Sequence, residues 1–424
     1  MPRAVYISFL GTTPYEPASY PDPRDATREN APATPYVQEA FLYYLQSDNL
    51  EPEVYTLVTP RAAAMHYDAE GTLGDRLAAS GLTTNRVSIE NPGAEDTIWR
   101  TFETFVAQLR DGDEVYLDVT HAFRVLPMLG FAALNYARSL RDITVAGIWY
   151  GEYDRGTKLA SSRDVTAFVT VQDWAAATRA LREQGSLRPF ASLSDGALRR
   201  GSAEGKKAFG RRRHAFEQLR KQVLELTDLL QLANAHALAD EGAWTKLRDR
   251  FAELRESYAD AFDPAARPIL DLLDEIERKL ASGFDGESRR AAVVGWAADH
   301  DLLPQGFTML DELTTTAVCE SVGADPSDKA HREFVAGFLK LRDGVTFDPE
   351  RYAVDDGPAL LGRLGNAPRI DAWRVLARKI VEPRNALNHA GYDRRSGHDS
   401  ADAYRKRLTD SLGEFESLLS EDQD

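Results

Sequence analysis

The chain has 424 residues, 43 % hydrophobic and 28 % charged, with a formal net charge of −16. That is the composition of a soluble globular protein large enough for two domains, and its acidity speaks against a general nucleic-acid coat, which binds by neutralising phosphates. No run approaches the roughly 20 apolar residues that span a bilayer, Met1-Pro2-Arg3 opens no signal-peptide pattern, and the single cysteine, Cys319, excludes an internal disulfide and fits a reducing cytoplasm.

Strands alternate with helices through the first ~165 residues, which predicts a Rossmann-like α/β domain on a parallel sheet. Residues 4–10 read as a buried strand, followed by a Pro/Asp/Tyr-rich loop and a helix over 35–46. Strands follow at 54–59 and 86–90, then a helix over 95–109 with Trp99, Phe102, Phe105 and Val106 on one face. A strand at 114–119 leads through Thr120-His121-Ala122-Phe123-Arg124 into an apolar helix ending near 140, and 143–150 is the last strand. Residues 171–207 read as a connector with one helix near 174–184. Its basic run, Arg199, Arg200, Lys206, Lys207, Arg211, Arg212 and Arg213, reads as a solvated linker entering a helix. From 208 to 424 the pattern is all-α: Phe216, Leu219, Val223, Leu226 and Leu230 recur at helical spacing, as do Ile269, Leu272, Leu273 and Ile276. The stretches 308–322, 331–341, 370–381 and 404–419 continue it, with a Gly/Asp/Pro-rich loop at 343–365 and Cys319 as buried filler.

Open α/β sheets bind ligands beyond the carboxyl ends of their strands, where strand order reverses. Two polar loops fit that place. Gly11-Thr12-Thr13 offers close backbone approach and two hydroxyls. Asp118-Val119-Thr120-His121-Ala122-Phe123-Arg124 offers a hydroxyl, an imidazole and a guanidinium ahead of a helix, which suits an anionic nucleotide. Neither glycine-rich dinucleotide nor nucleoside-triphosphate loop patterns occur, and no dense ligand cluster accompanies Asp118 and His121, so no metal is expected.

In the helical half, Glu382-Pro383-Arg384-Asn385-Ala386-Leu387-Asn388-His389 carries the residue types that cut RNA without a metal. A guanidinium grips a phosphate through paired hydrogen bonds, and an imidazole takes or gives a proton near neutrality. Pro383 suits a first helical turn, which predicts Arg384 beside a helix N-terminus. Residues five apart on a helix diverge by about 140°, so one Arg–His pair need not form a site alone. Arg61 and His66 repeat the spacing without the proline or the polar insert, and read as coincidence.

At these residues the chain resembles the CRISPR-associated CARF–HEPN ribonucleases of type III systems. Residues 7–12 resemble the family's opening strand and ligand loop, Thr34-Pro35-Tyr36-Val37-Gln38-Glu39-Ala40 the start of its first helix, and Asp118-Val119-Thr120-His121-Ala122 its D-x-T-H-G signature, with Ala122 where glycine is usual. Arg384-Asn385 and His389 are similar to the R-x(4–6)-H motif of HEPN nucleases. The resemblance implies a CARF domain over 1–170 that binds cyclic oligoadenylate, with the tetra-adenylate ring favoured and the hexa-adenylate ring open. Gly11, Thr12, Thr13, Thr120, His121, Ala122 and Arg124 would contact it. It also implies a HEPN ribonuclease domain over 208–424, paired in a homodimer or higher oligomer, that cuts single-stranded RNA once activated. His389 would be general base or acid, Arg384 would hold the scissile phosphate and Asn385 would orient one of them. The products would be a 2′,3′-cyclic phosphate and a 5′-hydroxyl. Two rivals remain: a sensor that relays to another protein without cutting, and a helical toxin-type RNase without nucleotide control. Slow opening of the activator ring by the sensor domain is also left open.

Overall fold

The computed structural model describes residues 2–191, 193, 206–238, 241–259, 266–284, 289–388 and 399–420. They divide into two compact units, the first ending at Val171 and the second beginning at Gln172. The first unit runs β1 (Ala4–Phe9), α1 (Val37–Ser47), β2 (Glu53–Val58), α2 (Pro60–His66), α3 (Leu73–Ala78), β3 (Thr84–Ser88), α4 (Glu95–Ala107), β4 (Glu114–Asp118), α5 (Val125–Leu140), β5 (Thr144–Asp154) and β6 (Leu159–Asp164). Its six-stranded sheet has the order β3-β2-β1-β4-β5-β6, so strand order reverses between β1 and β4.

β1 shows why the sheet is covered on both faces. Its side chains alternate, so Val5, Ile7 and Phe9 pack with Phe105 of α4 and Leu134 of α5, while Tyr6 packs on the other face with Phe41 and Leu45 of α1. A strand buried on both sides reads as a continuous apolar run, which is how it was visible in the sequence. The sheet is not wholly parallel, as the sequence had led us to expect: β6 pairs antiparallel to β5 at one edge. Its sequence, LASSRD, has no apolar alternation because an edge strand needs little burial. The Asp154 carboxylate makes the hairpin turn by accepting N–H bonds from Gly156 (2.7 Å) and Thr157 (3.2 Å).

The second unit is helical. It contains most of α6 (Ala167–Gln184), then α7 (Arg188–Ala191), α8 (Lys206–Gln231), α9 (Ala235–Leu238), α10 (Glu241–Ala259), α11 (Ala266–Phe284), α12 (Arg289–Asp299), α13 (Leu303–Ser321), α14 (Lys329–Leu339), α15 (Gly357–Gly365), α16 (Ile370–Asn388) and α17 (Ala401–Ser420). The stretch expected as a connector contributes Trp174 and Phe190, both buried and in ring contact with each other and with Phe216 of α8. Arg199 and Arg200 lie outside the described residues, but Arg212 is fully buried, its guanidinium 4.8 Å from the Tyr258 ring, so it is not part of a solvated linker. The 343–365 stretch is not all loop, since a 3-10 turn (Pro349–Arg351) and α15 form within it. α13 is buried along most of its length and packs against α12, α14, α16 and α17. Cys319 is buried there, and its thiol is pushed up to about 11 by burial.

Candidate functional site

The two polar loops meet at the sheet's reversal point. β1 ends at Phe9 and β4 at Asp118, and these strands are neighbours. A Cβ placed on Gly11 would lie 3.5 Å from the Ala122 nitrogen, in ordinary contact with the second loop, and a tighter 3.2 Å from the Tyr15 hydroxyl of its own loop. Thr12 is half-buried and Thr13 exposed. Thr120 accepts a hydrogen bond from the Gly151 N–H of β5 at 2.8 Å, which ties the second loop to the next strand. Ala122 takes φ 129°, a conformation natural to glycine and strained for alanine. The departure from the D-x-T-H-G pattern therefore keeps the glycine backbone and strains it. Arg124 is exposed at the N-terminal end of α5.

Between the loops stands a stack that sequence reasoning missed. The Tyr15 ring lies 4.3 Å from that of His66 and 4.2 Å from that of His121, each tilted by 26°. The Tyr15 hydroxyl accepts the Gly11 N–H at 2.8 Å. His66 reaches the Thr13 carbonyl at 2.9 Å through Nε2, which must carry the proton because a carbonyl only accepts. The spacing to Arg61 is still coincidental, but His66 has a place of its own in the stack. It is buried on α2, the helix that follows β2, while Arg61 on the same helix is exposed. The legible signal was position, because β2 lies beside β1 and opens toward the same edge.

Burial governs the charges. Asp118 accepts from the Tyr6 hydroxyl (3.0 Å) and the Thr120 N–H (2.8 Å). Burial nevertheless pushes its carboxyl up to about 6, against the lowering effect of Thr120 and Tyr6. His121 is pushed down to about 4, first by burial and then by nearby His66. Its Nε2 is enclosed and has no hydrogen-bond partner. His66 is lowered by burial, partly offset by its bond to Thr13. The stack therefore presents neutral rings near pH 7, a surface suited to bases rather than to simple anions.

A cleft of about 340 Å³ opens beside the stack, with Thr13, Tyr15, Tyr20, Thr120, His121 and Tyr150 among its walls. The β5–β6 hairpin holds one side: Tyr153 (3.0 Å) and Lys158 (2.6 Å) both bond Glu16, and Arg155 reaches the Pro14 carbonyl at 3.3 Å. Those contacts neutralise Glu16 next to the first loop. Among the described residues no three His, Cys, Asp or Glu side chains are grouped as a metal site requires.

In the helical unit, Pro383 does not begin a helix. It is buried inside α16, and Arg384 lies in that helix's last turns, at the negative rather than the positive end of the dipole. The physical reason is packing: Trp373, Leu376, Ala377 and Ile380 bury one face of α16, and that burial carries the helix through the proline despite the lost N–H bond. Arg384 donates from Nη1 to the buried carboxylate of Asp311 on α13 at 3.0 Å, an oxygen that also accepts from Lys340 at 2.8 Å. Asn385 is exposed. His389 lies outside the described residues.

No family model matches the chain. Over 85 residues it is 32 % identical to a CRISPR-associated protein of Methanocaldococcus jannaschii, a stretch that takes in 19 % of this chain and 13 % of that protein. The solved structure of Enterococcus italicus Csm6 bound to cyclic hexa-2′-fluoro-hexa-dAMP aligns over 98 % of this chain and 94 % of that one, at 10 % identity and a TM-score of 0.44.

Proposed function

We propose that this chain is a CRISPR-associated CARF–HEPN ribonuclease, in which the sheet unit binds a cyclic oligoadenylate and the helical unit then cuts single-stranded RNA. The observation that carries the sensor half is the convergence of Gly11 and Ala122 at the reversal point, beside a cleft walled by tyrosines and the neutral His121 imidazole. Such walls stack adenines, while the Thr12, Thr13 and Thr120 hydroxyls and the Arg124 guanidinium supply partners for ribose and phosphate. The short match to a CRISPR-associated protein supports the same reading. A ring of four adenylates is the favoured activator, with six as the alternative.

The nuclease step needs no metal in this scheme. A ribose 2′-hydroxyl attacks the adjacent phosphorus, the bond to the 5′-oxygen breaks, and the products are a 2′,3′-cyclic phosphate and a 5′-hydroxyl. His389 moves the proton, Arg384 neutralises the phosphate and Asn385 orients one of them. A second copy of the chain completes the cleft. α4, α5 and the loop before α5 leave Trp99, Phe123, Met128 and Tyr136 between 48 % and 74 % exposed, apolar groups that a partner would cover.

A fluorogenic single-stranded RNA assay with cyclic tri-, tetra- and hexa-adenylate tests the whole reading. Cleavage only with one ring, undiminished by a chelator, is expected. Cleavage without any ring would favour an unregulated RNase, and binding of a ring without cleavage would favour a pure sensor.

A further inference from the structure

We infer that Lys340 is a second phosphate contact beside Arg384, and that Asp311 is the positioning residue that holds both cations. The inference rests on Arg384 serving the nuclease site. Asp311 sits on α13, 2 % exposed, and one oxygen, Oδ2, accepts from both Arg384 Nη1 (3.0 Å) and Lys340 Nζ (2.8 Å). Arg384 comes from α16 and Lys340 from the C-terminal end of α14, so three helices meet at this carboxylate.

Charge explains why such a cluster points to an anion. Two cations crowd a single carboxylate, which can neutralise only one, and a net positive charge remains in a chain of net charge −16. Lys340 and Arg384 are 26 % and 29 % exposed, so that charge is accessible, whereas the carboxylate beneath is not. The guanidinium is anchored through Nη1, while its Nε is enclosed and has no hydrogen-bond partner. With Nε enclosed, an oxyanion is met by the exposed remainder of the guanidinium together with the Lys340 ammonium. Anchoring Nη1 to a buried group fixes the plane of the guanidinium and removes part of the ordering cost of gripping phosphate.

The test uses the full chain with its activator. Lys340→Met keeps the apolar stem and removes the charge. It should raise KM for single-stranded RNA about tenfold with kcat within about twofold, and lower the slope of log affinity against log salt by about 0.7 for a non-cleavable 2′-deoxy oligonucleotide. Lys340→Arg should restore both. Asp311→Asn should instead lower kcat at least tenfold, with Asp311→Glu recovering part of the loss, and melting curves confirm that each variant is folded. If Lys340→Met binds and cuts like the wild type while Arg384→Ala is inactive, the inference is overturned and the nuclease reading stands. If Arg384→Ala itself cuts normally, the reading of Arg384 fails and this inference falls with it.

Discussion

The two units bring their polar groups together by different means. In the sheet unit, backbone topology does the work: adjacent parallel strands end at one edge, so the loops after β1 and β4, and the helix after β2, arrive there whatever they contain. In the helical unit no such edge exists. Arg384 finds Asp311, 73 residues away, only because α13 and α16 pack together. A sheet thus locates a site before its side chains are known, and a helical bundle locates one only through them.

The comparison is broken most severely by removing chemistry from the helical unit. Arg384→Ala or His389→Ala should reduce activated RNA cleavage by at least about 10²-fold, while binding of cyclic oligoadenylate stays as in the wild type. Loss of both functions together would mean that the units do not divide the work as proposed. In the sheet unit, Thr120→Ala with Arg124→Ala should raise the half-activating ligand concentration at least about tenfold, since two polar contacts of ~1 kcal/mol each are removed. The maximal rate should be kept, and an unchanged activation curve would remove these residues from the site.

His66→Ala sharpens the contrast further, because it tests a residue that topology alone assigns. Losing one layer of the stack, it should weaken activation several-fold without altering the maximal rate, read in the same titration. The pH dependence of stability separates two opposed groups. Asp118, raised from 3.8 to about 6, favours the protonated fold, so its contribution declines as pH rises from ~4 to 6. His121, lowered from 6.5 to about 4, favours the neutral fold, so stability gained through it rises with pH over 4 to 6.5. The two largely offset one another. Asp118→Asn leaves only the rising component and should steepen the gain in melting temperature across that window; an unaltered slope would refute the Asp118 assignment. The smallest effect expected is from Ala122→Gly, which relieves the strain at φ 129° and should stabilise the unit by ~1 kcal/mol, seen as a rise of ~2–4 °C in Tm.

Most of the sheet was legible because buried strands such as β1 announce themselves by uninterrupted apolar runs. β6 was not, since an edge strand of Leu, Ala, Ser, Arg and Asp needs no such run. Gly11 and Thr120 were found from their loops, but Tyr15 and His66 were not, because stacking is a property of three separated segments. Pro383 misled for a related reason. Local preference places a proline at a helix start, while the buried face from Trp373 to Ile380 keeps α16 intact. Asp311 reads in sequence as one of several polar residues on α13, and only its burial and its two partners distinguish it.

The bond from Gly11 to the Tyr15 hydroxyl sets a threshold for any molecule that seeks the first loop. A competitor tethered four residues away is present at an effective concentration of roughly millimolar or above. A single nucleotide with millimolar affinity would lose that competition. On the proposed reading, a large ring engaging several groups at once would win it, whereas a small nucleotide would have to displace a resident hydroxyl for a single contact.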